Sequence, residues 1–299
     1  MIKNKLKQYS QLTKFRLSFT VMVSALAGYL FNGGTSWSEA IVLSVGGILV
    51  TGASNASNQI WERKLDAKMK RTMNRPLPSG EMSVTEAFIV VFLFLGIGAW
   101  MLYSINWQTA ALGLFGYLSY VFAYTPTKRI SRWSVLVGAI PGAVPPMIGA
   151  VAASGVYSFV PGILFFIQFV WQFPHFWAIA WVANEDYKAG GFSLLPSASG
   201  RSKQSALQIA IYSLLLIPFS LLPWILGWTG NVSMVIIAIL GGYFYWLSYR
   251  LYITLEMKDA KKLMFASFIY LPLIQFILVF DRTESFLEHL KNAVEITFK

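Results

Sequence analysis

Apolar and polar stretches alternate along this chain on a scale much longer than one helical turn. Predominantly apolar runs lie at about 16–32, 39–58, 84–103, 107–124, 133–153, 159–182, 206–226, 232–249 and 263–280. Each is close to the ~20 residues that a helix needs to cross a bilayer. The pattern predicts an all-α integral membrane protein, a bundle of nine transmembrane helices forming a single transmembrane domain over 1–299. Prolines at 141, 145, 146, 174, 218, 223 and 272 fall in or near these runs. Each frees a carbonyl that a neighbouring helix must satisfy, so the bundle is expected to be kinked and tightly packed.

Composition agrees, because a chain that is 56% hydrophobic and 12% charged, with mean hydropathy +0.56, is too apolar for a soluble domain. On a soluble protein a net charge of +11 would suggest nucleic acid. Here the cations sit between apolar runs, where they orient helices and meet anionic headgroups, so the expected partner is the lipid bilayer and no nucleic acid. All of the 24 lysines and arginines except Arg282, Lys291 and Lys299 fall in the N-terminal tail or in alternate connections. That alternation puts the N-terminus inside, the C-terminus outside and the long polar connections on the cytoplasmic face. Absence of cysteine removes disulfides and thiol chemistry. The first apolar run ends Gly28-Tyr-Leu-Phe-Asn-Gly-Gly without a small-residue cleavage pattern and reads as a retained helix. The short N-terminal tail has no Arg- and Ser-rich transit segment, which favours a bacterial inner membrane over a mitochondrial one.

The chemistry concentrates between the second and third runs. Read as a helix, Asn58, Glu62 and Asp66 step by four residues, drift only about 40° per step and line one face with oxygen ligands. Such donors suit Mg²⁺, which takes one or two carboxylates and keeps other positions for water and substrate phosphate. Lys68, Lys70, Arg71 and Arg75 follow at once, donors of the kind that grip diphosphate oxygens. The plainer alternative is a solvated helix face whose cations only set topology. Tyr124 and the pair Lys128-Arg129 close the fourth run on the same membrane face, either as orientation markers or as further diphosphate ligands. The small residues from Gly138 to Gly149 allow close helix packing or leave room for a large flat acceptor. An imidazole inside an apolar run is uncommon, so His175 is a functional candidate, either toward an iron porphyrin or in proton handling. Beside it, Trp171 and Phe176 are packing residues or steady a carbocation by their π-faces. Glu185 and Asp186 supply a second metal site or cap the next loop, and Gly190-Gly191 reads as a hinge there.

Several of these residues together carry a family resemblance. Asn58-x-x-x-Glu62-x-x-x-Asp66, the run from Met69 through Arg71, Thr72 and Arg75 to Pro76-Leu77, Tyr124-x-x-x-Lys128, Pro174-His175-Phe176-Trp177-Ala178, and Asp186-Tyr187-x-x-Gly-Gly-x-x-Leu-Leu-Pro196 occur in one order. The set resembles the protohaem IX farnesyltransferase (haem O synthase) branch of the UbiA-like intramembrane prenyltransferases. The resemblance implies nine transmembrane helices with cytoplasmic loops or short helices capping a central cavity. It also implies transfer of a farnesyl group from farnesyl diphosphate to a vinyl group of haem B, with water addition, giving haem O and diphosphate. By the same resemblance Asn58, Glu62, Asp66 and His175 are catalytic. Asn58, Glu62 and Asp66 hold the metal, with Glu185 and Asp186 as second-site candidates. The resemblance gives Arg71, Arg75, Tyr124 and Lys128 to the diphosphate; the residue chemistry adds Lys70 and Arg129 there and sets His175, Trp171 and Phe176 toward haem. Downstream haem-modifying or terminal oxidase assembly proteins are the implied partners. Two positions depart from the superfamily pattern: Glu62 stands where Asp is common, and its second Asp-x-x-x-Asp motif is absent in that form. The competing readings are a prenyltransferase acting on a hydroxybenzoate or naphthoate quinone precursor and a polytopic transporter.

Overall fold

A serine three residues ahead of a glutamate starts two of the long helices. Ser36 accepts from the Glu39 amide at the head of α3 (Trp37–Asp66), and Ser83 does the same for Glu86 at the head of α4 (Val84–Ile105). The computed structural model describes residues 2–131, 133–288 and 290; Arg132, one of the cations in the alternating connections, and Lys291 and Lys299 lie outside them. Besides these two it contains α1 (Ile2–Leu12), α2 (Phe15–Phe31), α5 (Trp107–Leu118), α6 (Thr125–Ile130), α7 (Ser134–Ser154), α8 (Phe159–Val182) and α9 (Asn184–Ala189). The C-terminal part adds α10 (Lys203–Ser220), α11 (Leu222–Ile225), α12 (Asn231–Thr254) and α13 (Met257–Phe280).

Seven helical stretches are long and apolar enough to cross a membrane: α3, α4, α7, α8, α10 with α11, α12 and α13. The other two apolar runs fall short of that length. The first is α2, with 17 residues; the second is α5, with 12, continued by a π-helix over Ser119–Tyr124. Three boundaries differ from the apolar pattern. The second run continues without a break to Asp66, so the oxygen ladder is the end of the same helix. The seventh divides at Leu221, because Pro223 has no amide to continue the ladder from α10. The basic tail is itself helical, and α1 is pinned to the head of α4 by Lys5 and Tyr9, which both donate to Glu86 at 2.8 Å.

In the bundle α3 runs beside α4 and α2, α7 lies between α2 and α8, and α13 closes the ring against α8 and α12. The α2–α7 contact is backbone to backbone: a methyl group on Gly149 would collide with the Ala25 carbonyl oxygen. Aromatic residues of α8, among them Trp171, Phe173, Trp177 and Trp181, fill the largest core cluster. Phe92 and Trp100 on the outer face of α4 are 79% and 69% exposed, as expected for a surface solvated by lipid.

Candidate active site

Three oxygen donors lie buried along the last turns of α3: Asn58 is 1%, Glu62 6% and Asp66 1% exposed. Unpaired carboxylates do not persist at such depth, and each is met by a cation from another segment. Lys128 of α6 reaches both oxygens of Glu62, at 2.9 and 3.2 Å. Arg75 donates to Asp66 Oδ2 at 2.8 Å, while the buried Thr72 hydroxyl bonds the Asp66 carbonyl at 2.8 Å and closes the turn between them. At Lys128 burial is the largest effect and works against the charge, but Glu62 and the neighbouring tyrosines together outweigh it and hold the ammonium above its usual value. The π-helix sets this approach. Thr125 Oγ1 donates to the Tyr120 carbonyl and accepts from Asn58 Nδ2 at 3.2 Å, which leaves Asn58 Oδ1 without a hydrogen-bond partner among the described residues. Tyr124, at its end, stands with its ring 4.7 Å from Lys128 Nζ.

Hard oxygen donors on one helix face, with one amide oxygen unpartnered, fit a hard divalent cation that completes its shell from water and phosphate. Among the described residues no group of three or more His, Cys, Asp or Glu side chains is placed to hold a metal, so Glu185 and Asp186 do not join Glu62 and Asp66 in one cluster. Glu185 is exposed and pairs with Arg201 at 3.3 Å, and Asp186 is half-buried. The second polar segment nevertheless folds over the first. Arg71 lies 5.5 Å from the Tyr187 ring, Lys128 Nζ lies 5.9 Å from the Phe192 ring, and Gly190 rests on Met69. Lys70 and Arg129 are exposed and make no hydrogen bond or ion pair with a described residue.

A one-residue step along α8 separates two roles. Phe176 faces Tyr124, with 6.4 Å between ring centres. His175 turns to α13 instead, where its Nδ1 lies 2.8 Å from Ser267 Oγ, and it stacks on Trp171 at 4.2 Å.

Lys14 belongs to the charge cluster although its sequence position suggested only an orientation marker. Asn55 Nδ2 donates to the Thr13 carbonyl at 3.3 Å, and Gln59 Nε2 to those of Gln11 and Leu12 at 2.9 and 2.7 Å, so α3 grips the corner between α1 and α2. The corner turns through Lys14 in the left-handed region (φ 46°, ψ 55°), which costs a residue with a Cβ about 1–2 kcal/mol. Burial pushes its ammonium down to about 7; Arg75 and Lys128 add to the fall, and Glu62 and Asp66 oppose it. The available signal was the pair Asn55 and Gln59, two amides on an apolar helix that require carbonyl partners.

The profile of the UbiA prenyltransferase family matches residues 20–271. The chain is 47% identical over 283 residues to the protoheme IX farnesyltransferase of Christiangramia forsetii, covering 93% of this chain and 94% of that one. Its fold is similar to that of a digeranylgeranylglyceryl phosphate synthase, with TM-score 0.72, 21% identity and coverage of 98% and 99% of the two chains. It is also similar to a UbiA homologue from Archaeoglobus fulgidus bound to DMAPP and Mg²⁺, with TM-score 0.72, 14% identity and coverage of 97% and 99%.

Proposed function

Because this multi-pass membrane chain belongs to the UbiA prenyltransferase family, we propose that it transfers the farnesyl group of farnesyl diphosphate to a vinyl group of haem B, with water addition, giving haem O and diphosphate. The name carried by the relative at 47% identity supports a porphyrin acceptor over a quinone precursor and a catalyst over a transporter. The observation that carries the reading is the burial of Asn58, Glu62 and Asp66 opposite Arg75 and Lys128. Carboxylates and cations satisfy one another in this arrangement, and a metal diphosphate satisfies both sets at once.

Mg²⁺ held by Asn58, Glu62 and Asp66 would supply Lewis acidity toward the leaving diphosphate. Arg75, Lys128 and Lys14, with Arg71 at the rim and Lys70 and Arg129 further out, neutralise the charge that grows on that group. The rings of Tyr124 and Phe176 offer π-faces to the allylic cation, and the surrounding apolar helices keep bulk water from it. His175, anchored by Ser267 and stacked on Trp171, is assigned to the haem side of the site. Asp186 and Glu185 are assigned to a second metal position, with Asp186 the nearer to burial.

The same reading places the chain in the bacterial inner membrane as a single domain over 1–299 with nine crossings, α2 and α5 with its π-helix completing the count. Alternation of the basic connections supports an inner N-terminus, an outer C-terminus and a cytoplasmic cap made by the two polar segments after α3 and α8. Haem-modifying or terminal oxidase assembly proteins then take the product.

Purified protein incubated with haem B, farnesyl diphosphate and Mg²⁺ should yield a farnesylated, hydrated porphyrin by mass spectrometry. Asp66→Ala should lower kcat/KM by about a hundredfold to a thousandfold while the protein remains inserted. Absence of any farnesylated porphyrin from the wild type would overturn the reading.

A further inference from the structure

One group of buried polar side chains takes no part in the diphosphate site. Pro146 has no amide to bond the Gly142 carbonyl, and Gln168 Nε2 and Gln172 Nε2 both donate to that carbonyl, at 2.7 and 2.9 Å. One donor suffices for a carbonyl freed in this way; here there are two. Gln168 Oε1 in turn accepts from Ser24 Oγ at 2.7 Å and from Gln275 Nε2 at 2.8 Å, and Gln275 also reaches Ser24 Oγ at 2.8 Å. Ser24 and the three glutamines are at most 8% exposed, in the middle of an apolar bundle. Burying amides there is costly unless each finds partners.

The group has a direction. At one end Gln275 borders a cavity of about 10 Å³ whose other walls, among them Gly28, Phe31, Pro146 and Leu164, are apolar. At the other end the Gln172 amide lies flat against Gly142, whose Cβ, if present, would fall 2.6 Å from Gln172 Nε2. One turn further toward the diphosphate site, Gly138 of α7 packs on the Tyr124 ring and Phe176 of α8 faces the same ring. Gln172 Oε1, unlike its Nε2, has no hydrogen-bond partner among the described residues. An acceptor without a protein partner therefore lies next to the aromatic wall of the site, where a water hydrogen is the partner that suits it.

We propose that Gln172 positions the water that ends the reaction, and that the buried network of Gln168, Ser24 and Gln275 holds the helices in the register that aims it. The inference rests on the farnesyl-transfer reading and deepens it. In that reaction the farnesyl carbon–oxygen bond breaks with its electron pair leaving on diphosphate. The vinyl π pair then forms the new carbon–carbon bond, leaving a cation on the carbon next to the porphyrin ring. A lone pair of water closes that cation, and the resulting oxonium gives its proton to the released diphosphate, the strongest base that the reaction supplies. Without a water in place, the same cation sheds a proton from the adjacent carbon and becomes an alkene. A site that shelters an allylic cation from solvent therefore has to admit a single water at one point. Gln172 lets it do so by accepting one water hydrogen and leaving the oxygen lone pair toward the porphyrin.

The test is the ratio of hydrated to dehydrated farnesyl porphyrin, read by mass spectrometry with haem B, farnesyl diphosphate and Mg²⁺ supplied to the full-length protein. Gln172→Leu leaves Gln168 to satisfy the Gly142 carbonyl. It should shift the ratio toward the alkene by about tenfold, the effect of one lost hydrogen bond, while consumption of farnesyl diphosphate changes little. Gln172→Glu, which keeps an acceptor in place, should restore the hydrated product. If Gln172→Leu fails to fold in detergent, Gln275→Leu at the far end of the network should move the same ratio in the same direction. An unchanged ratio in the folded variants, or a parallel loss of both products, would overturn the role of Gln172. Failure of the wild type to make either product would instead refute the farnesyl-transfer reading on which it rests.

Discussion

Lys14 shows how one residue's role depends on where the chain turns. As a free lysine it keeps its proton to about 10.5, while in the folded protein it gives it up at about 7. Between those values the unfolded chain binds the extra proton, so stability rises with pH across that window. Lys14→Met should flatten that rise, measured as the denaturation midpoint in detergent from about pH 7 to about pH 9. Binding an anionic diphosphate reverses the preference. Titration calorimetry in buffers of different ionisation enthalpy should detect a proton taken up near pH 8 by the wild type and not by Lys14→Met. The step of four from Asn58 to Glu62 to Asp66 was legible without coordinates, because residues four apart in a helix share a face whatever surrounds them. The destination of Lys14 was not, since it follows from a left-handed corner held by Asn55 and Gln59. Likewise no periodicity indicates that His175 turns to Ser267 while Phe176 turns to Tyr124; the rotation of α8 against its neighbours decides that.

At the scale of elements, the apolar runs located the helices and their polar flanks concealed the ends. A run stops where hydropathy falls, whereas a helix stops where hydrogen bonding fails, so α3 continues to Asp66 and α10 breaks at Leu221. Contacts between elements add their own predictions. Gly149→Ala forces α2 and α7 apart and should destabilise the protein by more than about 2 kcal/mol. Gly47→Ala in α3, where nothing lies within 4 Å, should be neutral or stabilising by up to about 1 kcal/mol. Equal effects at the two positions would contradict the close approach. On the far side of the bundle, Asp281 Oδ2 accepts from the Ser233 amide in the first turn of α12 at 2.6 Å and so caps a helix that begins without a cap of its own. Asp281→Ala should cost about 1 kcal/mol, read from the denaturation midpoint.

For the whole molecule the question is which face of the membrane carries the chemistry. With no cysteine in the chain, each engineered cysteine is a unique reporter. In intact cells Trp37→Cys, at the first residue of α3 and 79% exposed, should react with an impermeant maleimide. Lys70→Cys should react only after the membrane is opened. The reverse pattern would invert the proposed orientation. Hydropathy and the spacing of charges by themselves determined that this chain is helical and crosses a membrane several times, because the bilayer acts on each segment separately and leaves its mark within each segment. They also placed the oxygen ladder on one face, a property of a single helix. Only the tertiary structure decided which cations meet that ladder, that α9 and its loop fold over it, and that two glutamines of α8 share one freed carbonyl while Ser24 and Gln275 from two other helices bond one of them. Those are contacts between residues distant in sequence, and they depend on how helices pack and rotate against one another, which the order of residues along any one helix does not encode.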